Sequence, residues 1–347
     1  TALIVADVSN AAHSQVVAEV VLPGMVSDVA ISGSYAYVAE WTGLRVIDIS
    51  TPASPVEVGF LEIPGGFEWG VGVAVSGSYA YVVGADAGLR VVDISTPANP
   101  TEVGSYPTPG QAYEVAVFGG YAYVADGTFG LRVVDVSTPA SPSEVGFFNT
   151  SGDALGVDVS GSYAYVAAAE AGLRVIDVST PTLPAEVASV DTTGSAGEVT
   201  LSGDYAYVSD GGNFPDPNAL RVIDVSTPTS PTEVGVFNNP WWMSPGQVAV
   251  SGRNAYTYAY VMEGSGGLRT VDVSTPASPF GVGFLDAPAW TWDVAVAGSY
   301  AYIANDHGGL RLVDVSTPAS PIEVGYLELG ATLGVAVSGD YAYAVDC

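Results

Sequence analysis

The stretch VAISGSYAYVAEWTGLRVIDISTPASPVEVGFLE, residues 29–62, decides the fold. It reads as four short strands. VAIS and YAYVA are joined across a Ser-Gly turn, LRVIDIS follows, and EVGFLE closes the unit after STPASP. Val, Ile and Tyr dominate these runs, as a pleated half-buried surface prefers. The prolines of STPASP fix φ and withhold an amide donor, so they mark a turn between the last two strands. No segment carries sustained helical periodicity.

The unit recurs along the whole chain. Its LR-type phrase places leucines at Leu44, Leu89, Leu131, Leu173, Leu220, Leu268 and Leu310, and ALIVADVSN puts Leu3 in the same slot. The YAY phrase begins at Tyr35, Tyr79, Tyr121, Tyr163, Tyr205, Tyr258, Tyr300 and Tyr341. Four-stranded units of ~40–50 residues predict propeller blades. The chain starts at a third strand and stops after a second one, and the two partial units together make about one period. The expected fold is therefore an all-β, eight-bladed β-propeller of four-stranded blades, one domain over residues 1–347, closed by two strands from each terminus. Such a clasp removes the open edge that would template aggregation.

The LRVIDIS and YAYVA phrases together resemble the LVIVD-repeat β-propellers, with Arg where that motif's name has Val. A YVA…VID cadence is also similar to the YVTN-type surface propellers. The resemblance covers the whole chain and implies the fold. It also implies a secreted or cell-surface setting, with no assigned activity.

Charge narrows the partners. There are 37 acidic residues against 8 basic ones, all Arg, for a net charge of −29. Such a surface repels nucleic-acid phosphates and anionic lipid headgroups and favours cations. No apolar run approaches the ~20 residues of a membrane helix, so no membrane insertion is expected. The single cysteine, Cys347, excludes an intramolecular disulfide. The lack of Lys excludes Schiff-base and P-loop lysine chemistry, and His13 and His307 are too few for a histidine metal site.

Residues that recur in every blade read as scaffold. Seven of the arginines occupy one slot: Arg45, Arg90, Arg132, Arg174, Arg221, Arg269 and Arg311. Each precedes an Asp by three positions, so the two side chains leave opposite faces of the strand. The Arg is expected to pair with a carboxylate on a neighbouring strand or blade, and the Asp to cap its own STP turn. Both YAY tyrosines should pack on one face, between blades.

Function is sought where the repeat varies. The fourth-to-first and second-to-third loops share one face of such a ring. They hold every tryptophan: Trp41, Trp69, Trp241, Trp242, Trp290 and Trp292. Tyr113 and His307 join them, as do acids such as Glu40, Glu68, Asp86, Asp126, Asp153, Glu170, Asp210, Asp216, Glu263 and Asp306. Aromatics among hydrogen-bonding groups suit a sugar, a peptide or a cation, although large rings also plug channel mouths. The opposite, SGSY-and-STPASP face is expected to be uniform and poor in charge.

One slot is sharper. The residue before the first-strand Val is acidic in alternate blades: Asp28, Glu114, Glu198 and Asp293, with Gly72, Gly156, Gln247 and Gly334 between them. First strands line the channel, so four carboxylates should gather at its mouth. Like charges so placed call for a cation or for protons, and oxygen ligands favour Ca2+ or Mg2+. Plain solvation in a wide, wet channel is the alternative. The insertion DGGNFPDPN, residues 210–218, is a weaker Ca2+ candidate without EF-hand spacing.

The leading expectation is a binding or structural module whose acidic, Trp-rich face holds a saccharide, a peptide or a cationic protein, with Ca2+ as a candidate ion. A glycoside hydrolase or lyase working through two carboxylates on that face is one competitor. A plain scaffold or self-assembling subunit is another.

Overall fold

A computed structural model describes residues 2–9, 15–63, 71–84, 87–211, 218–238, 248–253, 256–262 and 267–346. Among these residues the strands form eight four-stranded antiparallel sheets. Seven sheets are each a continuous run of chain, and the last is composite. In it the N-terminal strands Gln15–Val21 and Ala2–Asp7 lie beside the C-terminal strands Tyr341–Asp346 and Thr332–Ser338. Ala2 pairs with Asp346 and Asp7 with Tyr341, so the two ends of the chain are stitched along a full strand.

The inner strand of each sheet packs against the inner strands on both sides. The circuit runs through Val26–Ser32, Val71–Ser76, Glu114–Phe118, Gly156–Ser160, Ser195–Ser202, Val248–Arg253, Asp293–Ala297 and Thr332–Ser338, and returns to the first. The sheets are thus the blades of a closed β-propeller. The hydrophobic core is divided into clusters, one at each blade junction.

The YAYVA strand explains why. Along Tyr35–Glu40, Tyr37 and Ala39 face the next blade, where they meet Ala80 and Val82. Ala36 and Val38 face the previous one, among Leu3, Val5 and Tyr343. Side chains alternate along a strand, so a run apolar at every position serves two junctions at once. Tyr35 and Tyr37 do share one face, with Tyr37 buried and Tyr35 partly so.

The recurring Val-Gly of the outer strand marks a close approach. A register shift falls between Val46 and Ile47 as they pair with the outer strand, and it repeats in the other blades. A Cβ on Gly146 would lie 2.3 Å from the Pro181 carbonyl oxygen and 2.6 Å from Pro184 Cδ. The proline turn of the next blade docks in the same way on Gly59, Gly104, Gly235 and Gly283.

The arginines behave as scaffold. Arg45 reaches across to Glu57 on the outer strand at 2.8 Å, and Arg90, Arg132, Arg174, Arg221 and Arg311 pair likewise with Glu102, Glu144, Glu186, Glu233 and Glu323. Arg45, Arg132, Arg269 and Arg311 also lie over the rings of Phe60, Phe147, Phe284 and Tyr326. A flat guanidinium suits both contacts at once.

The aspartates three positions on cap their own turns. Asp7, Asp48, Asp93, Asp135, Asp177, Asp224, Asp272 and Asp314 each accept from the amide of the Ser two residues later, at 2.8–3.0 Å. They make a ring of carboxylates on the short-looped face. Among the described residues the capped turns of that face repeat from blade to blade, but the face is not poor in charge.

Candidate functional site

At the other end of the ring, the starts of the inner strands surround a cavity of about 260 Å³. Asp28, Glu114, Glu198 and Asp293 all line it, together with Gly72, Gly334, Tyr113, Trp292, Leu155 and Leu333. The structure thus gathers the four alternating acids at one mouth.

Their hydrogen bonds show what holds them. Asp28 accepts from its neighbour Val29 at 2.7 Å through Oδ1, and from Val73 of the next blade at 2.8 Å through Oδ2. Glu114 Oε2 accepts from the Val157 amide at 2.7 Å. Asp293 spans from Val294 to Val335 in the same way, and Glu198 accepts from the amide of Val248. Each acid thus reaches over to an amide on the next blade's inner strand. These are edge strands whose amides would otherwise lack a partner in the sheet.

The intervening glycines make room for this reach. A Cβ on Gly156 would lie 3.2 Å from Glu114 Oε2 and 3.1 Å from the Glu198 Cα. Three of the four acids thus reach over to a strand that carries glycine in the same slot, at Gly72, Gly156 and Gly334.

Burial and mutual repulsion shape the charges. Burial, opposed by the hydrogen bonds, raises the pKa of Asp28 above the usual carboxylate range. Burial pushes Glu114 up to about 7, with Asp158 and Asp28 adding repulsion. Asp293 is pushed up to about 6 by burial, with Asp28 contributing. Glu198 is raised well above its ordinary value by burial and then by Glu114, Asp293 and Asp158. Glu114, Glu198 and Asp293 each feel at least one other acid of the set, so a proton bound on one eases ionisation of another.

Asp158 is a fifth member that the slot analysis overlooked. It sits one pleat deeper, where six other blades carry Ala30, Ala74, Ala116, Ala249, Ala295 and Ala336 and one carries Thr200. Its Oδ2 accepts from Leu201 of the next blade at 2.9 Å, and burial raises its pKa. The one acid in a repeat column otherwise of alanine and one threonine was the available signal.

The other candidates scatter. Trp292 lines the cavity, half exposed, and stacks with Trp290 at 6.4 Å between ring centroids and 27° between planes. Asn305 holds the Trp290 loop by donating to the carbonyls of Ala289 and Trp290. Tyr113 lines both the cavity and a second one of about 370 Å³, bounded by Pro109, Gln111, Phe129 and Asp153. Trp41 is half-buried in its turn, its amide donating to the Met25 carbonyl. His307 is exposed and absent from the cavity wall. Its neighbour Asp306 has φ +36°, but it occupies a backbone bridge to Thr332 that Ala169 matches at φ +43° in its own blade. That strain belongs to a latch between blades, not to a reacting group.

Three of the loop acids are scaffold. Glu40 and Asp210 are fully buried against Arg45 and Arg221, and Asp126 lies 3.6 Å from Arg132. Their exposure on the loop face, expected from the sequence, gives way to ion pairing beneath it. Trp69, Trp241, Trp242, Gln247, Glu68, Asp86, Asp216, Glu263 and most of the 210–218 insertion lie outside the described residues. Among the described residues, no three His, Cys, Asp or Glu side chains are grouped so as to hold a metal ion. The four mouth acids share a cavity, yet each is turned toward an amide instead of a common point.

Similarity to known proteins follows the fold. The chain resembles the computationally designed protein Ika8, with a TM-score of 0.73 at 11% identity over 94% of both chains. Sqt1 of Saccharomyces cerevisiae gives a TM-score of 0.73 at 8% identity, over 93% of this chain and 96% of that one. AztD of Citrobacter koseri gives 0.64 at 16% identity, over 99% and 98%. At these identities the likeness speaks for the fold alone. No curated protein matches the chain. The LVIVD repeat matches residues 23–62, 71–108, 109–150, 151–192, 193–239, 245–286, 290–328 and 329–347. With repeats matched along nearly its whole length, the chain belongs to the LVIVD-repeat family.

Proposed function

We propose that this propeller is a binding module that takes its partner on the long-looped face, at the mouth of the ring. One observation carries the reading: Trp292 stands half exposed at the edge of the cavity that the four acids line. A rigid aromatic beside a concave acidic cavity offers apolar area, shape and charge in one place. Met25, Phe129 and Trp290 are also more than 40% exposed in loops of that face. Peptides, cationic groups and saccharides are the ligand classes these groups suit, and the family resemblance favours a secreted or surface setting.

The test is a binding screen of peptide and glycan libraries against the wild type and a Trp290→Ala/Trp292→Ala variant. Both rings are exposed, so the variant should fold. Binding lost in this variant and kept in His307→Ala is the expected result. Ligands that bind both proteins equally would place recognition elsewhere and overturn the reading.

A pure scaffold role is the second reading, favoured by the near-identity of the blade junctions. It predicts no ligand in that screen and a partner protein held by the uniform face.

A further inference from the structure

Resting on that reading, we infer that the mouth of the ring receives a lysine side chain presented by an extended basic segment of a partner protein. The cavity floor is acidic, with carboxylates from four separate blades around one space. Its rim is apolar and aromatic: Trp292, Tyr113, Leu155 and Leu333. A lysine has matching parts, an apolar stem and a compact charged tip.

The geometry discriminates between cations. The acids stand around the mouth instead of forming one flat pair, and each already spends an oxygen on a backbone amide. The acceptor capacity left over is spread in several directions. An ammonium with three rotatable donors fits that spread, whereas a planar guanidinium wants two coplanar oxygens. Six of the scaffold arginines sit on third strands against outer-strand glutamates, and Arg269 lies on its third strand over the Phe284 ring, so none of these seven neutralises the mouth.

The surroundings argue for a polypeptide over a free amine. The stacked Trp290–Trp292 pair carries exposed apolar surface past the cavity edge, and Met25 and Phe129 add to it in loops of the same face. Such area exceeds what one small amine covers. The net charge of −29 steers a basic segment toward the molecule. Protons compete for the same oxygens, so occupancy should weaken as the solution is acidified through the range where Glu114 and Asp293 protonate.

Calorimetric titration of the full chain tests this with capped glycine–serine heptapeptides carrying lysine, arginine or Nε-acetyl-lysine. At low salt and pH 7.5 the lysine peptide should bind, and acetylation should weaken it by at least about tenfold. Glu114→Gln/Glu198→Gln should cause a similar loss while leaving the fold intact, because the amide oxygens keep an acceptor. Trp292→Ala should weaken binding several-fold. Equal binding of the acetylated peptide, or unchanged binding to the carboxamide variant, would overturn the inference. So would arginine peptide or free 1,5-diaminopentane matching the lysine peptide. If the lysine peptide fails while a library ligand binds and is lost with Trp290 and Trp292, the inference falls and the binding-module reading stands. If no ligand depends on those rings, both fall.

Discussion

The propeller carries a ring of carboxylates on each face, and the two behave in opposite ways. On the uniform face, Asp7, Asp48, Asp93, Asp135, Asp177 and Asp224 are held below the usual carboxylate range, first by the Ser hydroxyl and then by the Ser amide. At the cavity, Asp28, Glu114, Glu198 and Asp293 are raised, chiefly by burial. Both sets accept backbone amides. The difference lies in water and in neighbours: one set is solvated and spaced out at turns, the other shares a confined cavity. Residue type alone says little about charge state.

The contrast can be broken most severely through the turns. Gly146→Val should force the Pro181 turn away from its seat, since the added Cβ would approach the carbonyl oxygen to 2.3 Å. An overpacked backbone contact of this kind costs about 3 kcal/mol or more, so the melting temperature should fall by roughly 4 °C or more. The same substitution at Gly161, where nothing lies within 4 Å, adds no such clash. Its cost comes only from its φ of +59°.

A second effect separates the two rings by pH. The cavity acids have folded pKa values above their unfolded ones, so the folded state takes up protons. Their contribution is fully present below the unfolded value of about 4.5 and is lost as pH rises through about 6 to 7. The melting temperature should therefore drop on the order of 5 °C between pH 5 and pH 8. Glu198→Gln should flatten that drop by removing the acid that three neighbours repel. A profile that rises from pH 5 to 8, or one unaffected by Glu198→Gln, would contradict the proton-sharing account.

The smallest effect belongs to a single cap. The folded pKa of Asp135 is lowered, so its contribution is present above the unfolded pKa and fades as acid protonates it. Asp135→Ala should lower the melting temperature by about 1–3 °C at pH 7. The difference from wild type should vanish at strongly acid pH.

Much of this was legible in the repeat. The Leu3 and Leu310 slots located the composite blade, because a closed ring needs a whole number of units and the two ends made up the remainder. The DIS aspartates announced their capping role through their two-residue offset from Ser, a local relation. The alternation of Asp28, Gly72, Glu114 and Gly156 was visible as well, but its purpose was not. Their partners, Val73, Val157 and Val335, lie more than 40 positions away from the acids they bond. Glu40 and Asp210 misled for a related reason, since a loop position in the sequence gives no sign that a buried arginine waits beneath it.

By itself, then, the sequence determined the blades, their turns and the clasp, because strand period, proline turns and unit length are properties of neighbouring residues. Only the tertiary structure decided which acids are clamps, which are buried partners of arginine and which crowd into one cavity. Those outcomes depend on distances across blade junctions and on exclusion of water, and both exist only once the ring has closed.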